Sequence, residues 1–114
     1  MAIIKVEDLK NYKIIHLAGD YNSSDDTEKL RKELKDLAQV ENNKIIIDLS
    51  EVFYFNSATL GVLISANALF SKNGGKLAFY NASDYLAKIF DITKLTLVLR
   101  IYKTLEEAVK YIER

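Results

Sequence analysis

The sequence predicts a single α/β domain, a mixed, partly parallel β-sheet of about five strands covered by about four helices. Three observations predict it. Short β-branched runs alternate with amphipathic stretches along the whole chain. The run from Lys44 to Leu49 is apolar on both faces, the mark of a central strand covered on both sides. A chain of 114 residues, 49% hydrophobic, holds one ordinary core and is too short for two domains.

The elements follow in order. Ile3 to Val6 and Lys13 to Ala18 are β-rich runs separated by the polar Glu7-Asp8 and Lys10-Asn11 region, the pattern of a hairpin. Gly19 is expected to break the second strand. Asn22-Ser23-Ser24 then supplies capping residues ahead of Asp25, Asp26 and Glu28, whose charges suit the positive end of a helix starting near Ser24. Leu30, Leu34 and Leu37 recur at the spacing that places them on one face of that helix. After the polar break Glu41-Asn42-Asn43 comes the strand from Lys44 to Leu49, then a connection from Ser50 to Phe55. Ser57 to Phe70 is long enough for about four helical turns and carries apolar Leu60, Leu63, Ile64 and Ala68.

Gly74-Gly75 permits a tight exit into a strand from Lys76 to Tyr80. Asn81-Ala82-Ser83 starts a short helix, Tyr85 to Phe90, with Leu86, Ile89 and Phe90 facing inward. The run from Leu95 to Ile101 is β-branched and apolar and reads as the last strand. Thr104-Leu105-Glu106-Glu107 is a capping box, and Leu105, Ala108, Val109 and Ile112 form the apolar stripe of a closing helix.

Composition narrows the chemistry. Without cysteine there is no disulfide framework, Cys-ligated zinc, iron-sulfur cluster or thiol nucleophile. Sixteen basic and sixteen acidic side chains cancel, so no overall field attracts a phosphate polymer or an anionic membrane, and nucleic acid is not an expected partner. The N-terminal residues lack the basic start and apolar stretch of a secretory signal, and no segment has the roughly 20 apolar residues of a spanning helix. A cytoplasmic location without membrane insertion is expected.

The sole histidine, His16, sits mid-strand between Ile15 and Leu17 and reads as an ordinary sheet-face side chain with no role. Asp25-Asp26 are sequence neighbours that do not face one another on a helix. Gly74-Gly75 lies after a helix and outside any phosphate-loop frame. The aromatic residues are not interleaved with a basic cluster. With no nucleophile beside a base, no metal cluster and no phosphate loop, the chain is not expected to be an enzyme, and no cofactor is expected.

One segment is more specific. Asp48-Leu49-Ser50 is followed by apolar residues and then by Asn56-Ser57-Ala58-Thr59-Leu60-Gly61, running from a buried strand into a helix with Ser57 at its start. A hydroxyl there sits among unpaired amides at the positive end of the helix dipole, where an added phosphate is stabilised by the donors that cap the helix. On the bare residues, a simple capping role for Ser57 or Asn56 is the commoner use of such a position.

These residues resemble the STAS domains, in particular the bacterial anti-sigma factor antagonists, whose signature runs Asp-Leu-Ser, a few apolar residues, then Asp-Ser-Ser/Ala-Gly-Leu-Gly. Leu17-Ala18-Gly19-Asp20 and the stretch from Asp91 to Leu95 extend the resemblance over nearly the whole chain. It implies that Ser57 is phosphorylated by an anti-sigma factor that is itself a serine kinase. The unphosphorylated antagonist binds that kinase, the phosphorylated form lets go, and a serine phosphatase resets it. The docking surface it implies comprises Asp20, Asn22, Ser23, Asn56, Ser57, Ala58, Thr59 and Gly61. Three positions depart from the pattern: Asn56 and Asn22 replace acidic residues, and Thr59 replaces a glycine, placing a β-branched side chain where a partner's backbone would approach. Those departures leave an alternative, a STAS accessory or scaffold subunit of a larger assembly, such as a lipid-transport or signalling complex, that is never phosphorylated.

Overall fold

A computed structural model of the chain describes residues 2–114. Strands β1 (Ile3–Asp8), β2 (Lys13–Tyr21), β3 (Lys44–Phe55), β4 (Lys76–Tyr80) and β5 (Arg100–Tyr102) alternate after the first hairpin with helices α1 (Ser24–Ala38), α2 (Ser57–Lys72), α3 (Asp84–Ile92) and α4 (Leu105–Ile112). The five strands lie side by side in chain order, β1 antiparallel to β2 and every later pair parallel.

That order decides where the helices go. A parallel crossover is almost always right-handed, and three successive crossovers stepping in one direction must leave all three connecting helices on the same face. Leu30 and Leu34 of α1, Val62, Leu63 and Phe70 of α2, and Leu86 and Phe90 of α3 accordingly share one core with Ile15, Ile45, Ile47 and Phe79. The opposite face has only α4, whose Ala108 and Ile112 close over Ile14, Ile46 and Ala78. Ile45, Ile46 and Ile47 are all 0% exposed, as a strand covered on both sides requires.

Four expectations need correction. Gly19 does not end β2, and Ser50 to Phe55 is strand rather than connection. The two strands continue together past Asp48, with Ala18 beside Glu51 and Tyr21 beside Phe55, because two register shifts absorb the extra residues. At the first shift, Asp48 Oδ1 accepts the Ser50 amide at 2.9 Å, and at the second, Gly19 has φ of 100°, which favours glycine. The buried stripe of α2 is Thr59, Val62, Leu63, Ala66 and Phe70, whereas Ile64 and Ala68 are exposed. The last strand is only three residues long. Leu95–Leu97 forms a 3₁₀ turn after Lys94 at φ 64°, and Leu97 is 81% exposed. Leu95 and Leu99, joined by an amide-to-carbonyl bond of 2.8 Å, are the buried anchors there.

The exit from α2 needs both glycines. Gly74 has φ of +75°, and a Cβ on Gly75 would stand 2.6 Å from the Asn43 carbonyl oxygen. The capping box of α4 is present in both directions between Thr104 and Glu107.

Candidate functional site

The site is built where two neighbouring strands end and two helices begin. β2 ends at Tyr21 and β3 at Phe55, and these two residues are register partners. Their rings pack at 5.4 Å between centroids, and both side chains are buried. The Tyr21 hydroxyl donates to Ile3 O on β1 at 2.8 Å. Burial first, and the Asp26 carboxylate second, push this phenol up to about 12.

Each helix has its own side-chain cap. Ser23 Oγ accepts the Asp26 amide of α1 at 3.1 Å, and Asn56 Oδ1 accepts the Thr59 amide of α2 at 2.8 Å. The Asn56 amide donates to Tyr21 O at 3.1 Å, so the start of α2 hangs directly from the end of β2. This brings Asp20, Asn22 and Ser23 beside Asn56, Ser57 and Ala58. All but the half-buried Asn56 are exposed.

Ser57 is the first residue of α2. Asn56 takes up the Thr59 and Leu60 amides through its side chain and carbonyl, and no described residue accepts from those of Ser57 and Ala58. Two free donors thus flank an exposed hydroxyl at the positive end of the helix. Gly61 is half-buried one turn further on, and a Cβ there would meet nothing within 4 Å.

Thr59 breaks the expectation of an exposed contact. It is 0% exposed, turned into the core, so its side chain is not part of the exposed surface. Its geometry is that of an internal tie, with Oγ1 at 2.9 Å from Thr27 Oγ1, 3.2 Å from Tyr21 O and 2.8 Å from Asn56 Oδ1.

His16 stands on a sheet face, as its place in the strand predicts, with two carboxylate partners. Its Nδ1 lies 2.6 Å from Asp48 Oδ2 on β3 and its Nε2 2.8 Å from Glu7 Oε1 on β1, so one ring links three strands on the face α4 leaves partly open. The bond to Glu7 is the largest influence on the imidazole and raises it above its usual 6.5, against an opposing desolvation, with Asp48 adding to the rise. Burial alone would push Asp48 up, but the Ser50 amide and His16 hold its carboxyl below the ordinary range. Alternation did place His16 on the face of Ile14, yet nothing local to it named its two acids. Among the described residues, no group of three or more His, Asp and Glu is arranged to hold a metal ion, and no helix is long and apolar enough to cross a membrane.

Comparison with known proteins agrees with this architecture. The profile described as STAS domain matches residues 4–108. The anti-sigma-B factor antagonist of Bacillus subtilis is 36% identical over 72 residues, a stretch covering 63% of this chain and 65% of that protein, just under two thirds of its length. The structure of the anti-sigma factor antagonist SpoIIAA in its unphosphorylated form superposes with a TM-score of 0.78 at 18% identity, covering 97% of this chain and 96% of that one. The phosphorylated form of the Bacillus SpoIIAA gives 0.72 at 18% identity, over 96% and 99% of the two chains.

Proposed function

The chain belongs to the STAS domain family, and on that premise we propose that it is an anti-sigma factor antagonist switched at Ser57. In this reading the unmodified protein docks on an anti-sigma factor with serine kinase activity through Asp20, Asn22, Ser23, Asn56, Ser57 and Ala58. The kinase transfers the γ-phosphoryl of ATP to the Ser57 hydroxyl, the hydroxyl proton is released, ADP leaves, and the modified antagonist dissociates. A serine phosphatase returns it to the binding form.

The single observation that carries the reading is the exposed Ser57 hydroxyl at the first position of α2 beside two amides with no acceptor. A phosphate there gains those donors and the helix dipole, so the fold tolerates it. The same phosphate brings about 1.5 to 2 negative charges into a surface that must be stripped of water on docking, which disfavours the complex. Asp20 and Asp26 lie on the neighbouring segment and add to that charge.

Intact mass of the protein from its native host, with peptide mapping from Lys44 to Lys72, tests the reading. The expected result is one phosphate on Ser57, absent from Ser57→Ala, together with co-purification of a kinase partner by the unphosphorylated form only. Protein that stays unmodified in growth and under stress overturns it. That result supports the second reading, a STAS subunit of a larger assembly, which Asn56 favours by withholding the acidic residue expected beside the serine.

A further inference from the structure

The two exposed segments of the site stand at the starts of different helices, and what joins them is a pair of buried hydroxyls. Thr27 on α1 and Thr59 on α2 lie 32 residues apart in the chain, at 4% and 0% exposure, with their Oγ1 atoms at 2.9 Å. Thr27 donates to Ser23 O at 2.9 Å. Thr59 has Tyr21 O, Asn56 Oδ1 and Thr27 Oγ1 all within reach. A hydroxyl has one proton and two lone pairs, so two protons serve four contacts. The bond between the helices forms when either hydroxyl turns its proton to the other, Thr27 away from Ser23 O or Thr59 away from Tyr21 O and Asn56 Oδ1.

Asn56 competes for the Thr59 proton. Its oxygen is fixed toward α2 because it caps the Thr59 amide, and it lies 2.8 Å from the Thr59 hydroxyl. A neutral amide oxygen is a weaker acceptor than a carboxylate. An aspartate in its place would draw the Thr59 proton to itself. Asparagine competes for it less strongly, and with the Thr59 proton on Asn56 Oδ1 the Thr59 oxygen still accepts from Thr27.

We propose that Thr59 is a positioning residue, acting with Asn56 and Thr27 to tie the start of α1 to the start of α2. The segments from Asp20 to Ser23 and from Asn56 to Ala58 are thereby presented as one rigid surface. The tie itself stands on the hydrogen bonds alone, while its value for docking rests on the function proposed above.

Amide hydrogen exchange of the free protein, read by NMR, tests it with Thr59→Val, Thr59→Ser, Thr27→Val and the Thr27→Val/Thr59→Val pair. Thr59→Val should speed exchange at the Asp26 and Thr27 amides, across the gap from the mutation, by about fivefold, the factor a typical net hydrogen bond corresponds to. Amides of Ile45 to Ile47 should keep their rates. Thr59→Ser should restore the wild-type pattern, Thr27→Val should reproduce the effect, and the pair should add little beyond either single change. Acceleration confined to α2, or spread evenly into the Ile45 to Ile47 strand, overturns the proposal. If Thr59→Val fails to fold, Thr27→Val decides in its place, with acceleration at the hydrogen-bonded Thr59 and Leu60 amides expected and its absence overturning the tie. Affinity for the kinase recovered from the native host is measured on the same variants. A broken tie with unchanged affinity overturns the docking surface and leaves the tie standing.

Discussion

A neutral imidazole donates from one nitrogen only, so the two carboxylate contacts of His16 are both hydrogen bonds only when the ring is protonated. Asp48 is fixed by the Ser50 amide and largely buried, whereas Glu7 is about half exposed, so loss of the proton releases the Glu7 side and with it a link to β1. The other charged and titratable neighbours are Lys5, the cross-strand partner of His16, and Tyr80, whose phenol burial raises. The folded pKa lies above the unfolded value. The stabilisation is therefore complete below about 6.5 and is lost as pH rises through the folded midpoint. NMR titration of the His16 ring should give a midpoint above 6.5, and Glu7→Gln should move it down. A wild-type midpoint at or below that value would show that the two carboxylates do not hold the proton. The strand around His16 was legible from alternation, but its partners lie 9 and 32 residues away and only the sheet register brings them in.

Helix ends were the most legible elements, since capping is local chemistry. Ser23, Asn56, Ser83 and Thr104 each accept an amide three residues on. Thr104→Ala removes the centre of the α4 box and should cost about 1 kcal/mol, measured by urea unfolding at unchanged m-value. Strand ends were far less legible. Asp48-Leu49-Ser50-Glu51 reads as the polar close of a strand, yet β2 and β3 stay paired by bulging, which depends on a partner strand, and Gly19, which marks the second shift, reads in the sequence as a strand end. The stretch from Leu95 to Ile101 misled for a related reason. Propensity records a fit to a half-buried surface, and ahead of β5 only Leu95 and Leu99 are buried, at a spacing of four rather than two.

For the whole molecule, alternation of strands and helices was enough for the fold class, and the right-handed crossover turns chain order into a sheet with three helices on one side. Which face of α2 goes inward was not legible, because Leu60, Leu63, Ile64 and Leu69 offer apolar surface nearly all round. Phe70, 1% exposed, anchors that helix in the larger core, and Phe70→Ala should cost about 3 to 5 kcal/mol in chemical denaturation. A loss below about 1 kcal/mol would mean that the large core closes over the gap. The candidate site drew on both kinds of information. Ser57 and its cap could be found from the residues, but the burial of Thr59 and its bond to Thr27 required the packing of α1 against α2.

The order β1-β2-β3-β4-β5 also bears on how the chain assembles. Each strand has as its neighbour the strand made just before it, so no strand has to be inserted between two already paired. A growing chain can close the first hairpin, then lay each new unit on the sheet edge left by the last, although each parallel pairing must first bring together residues roughly 20 to 35 apart, which slows folding. Among these elements β5 and α4 come last, so Ile14, Ile46 and Ala78 remain uncovered until α4 has been made.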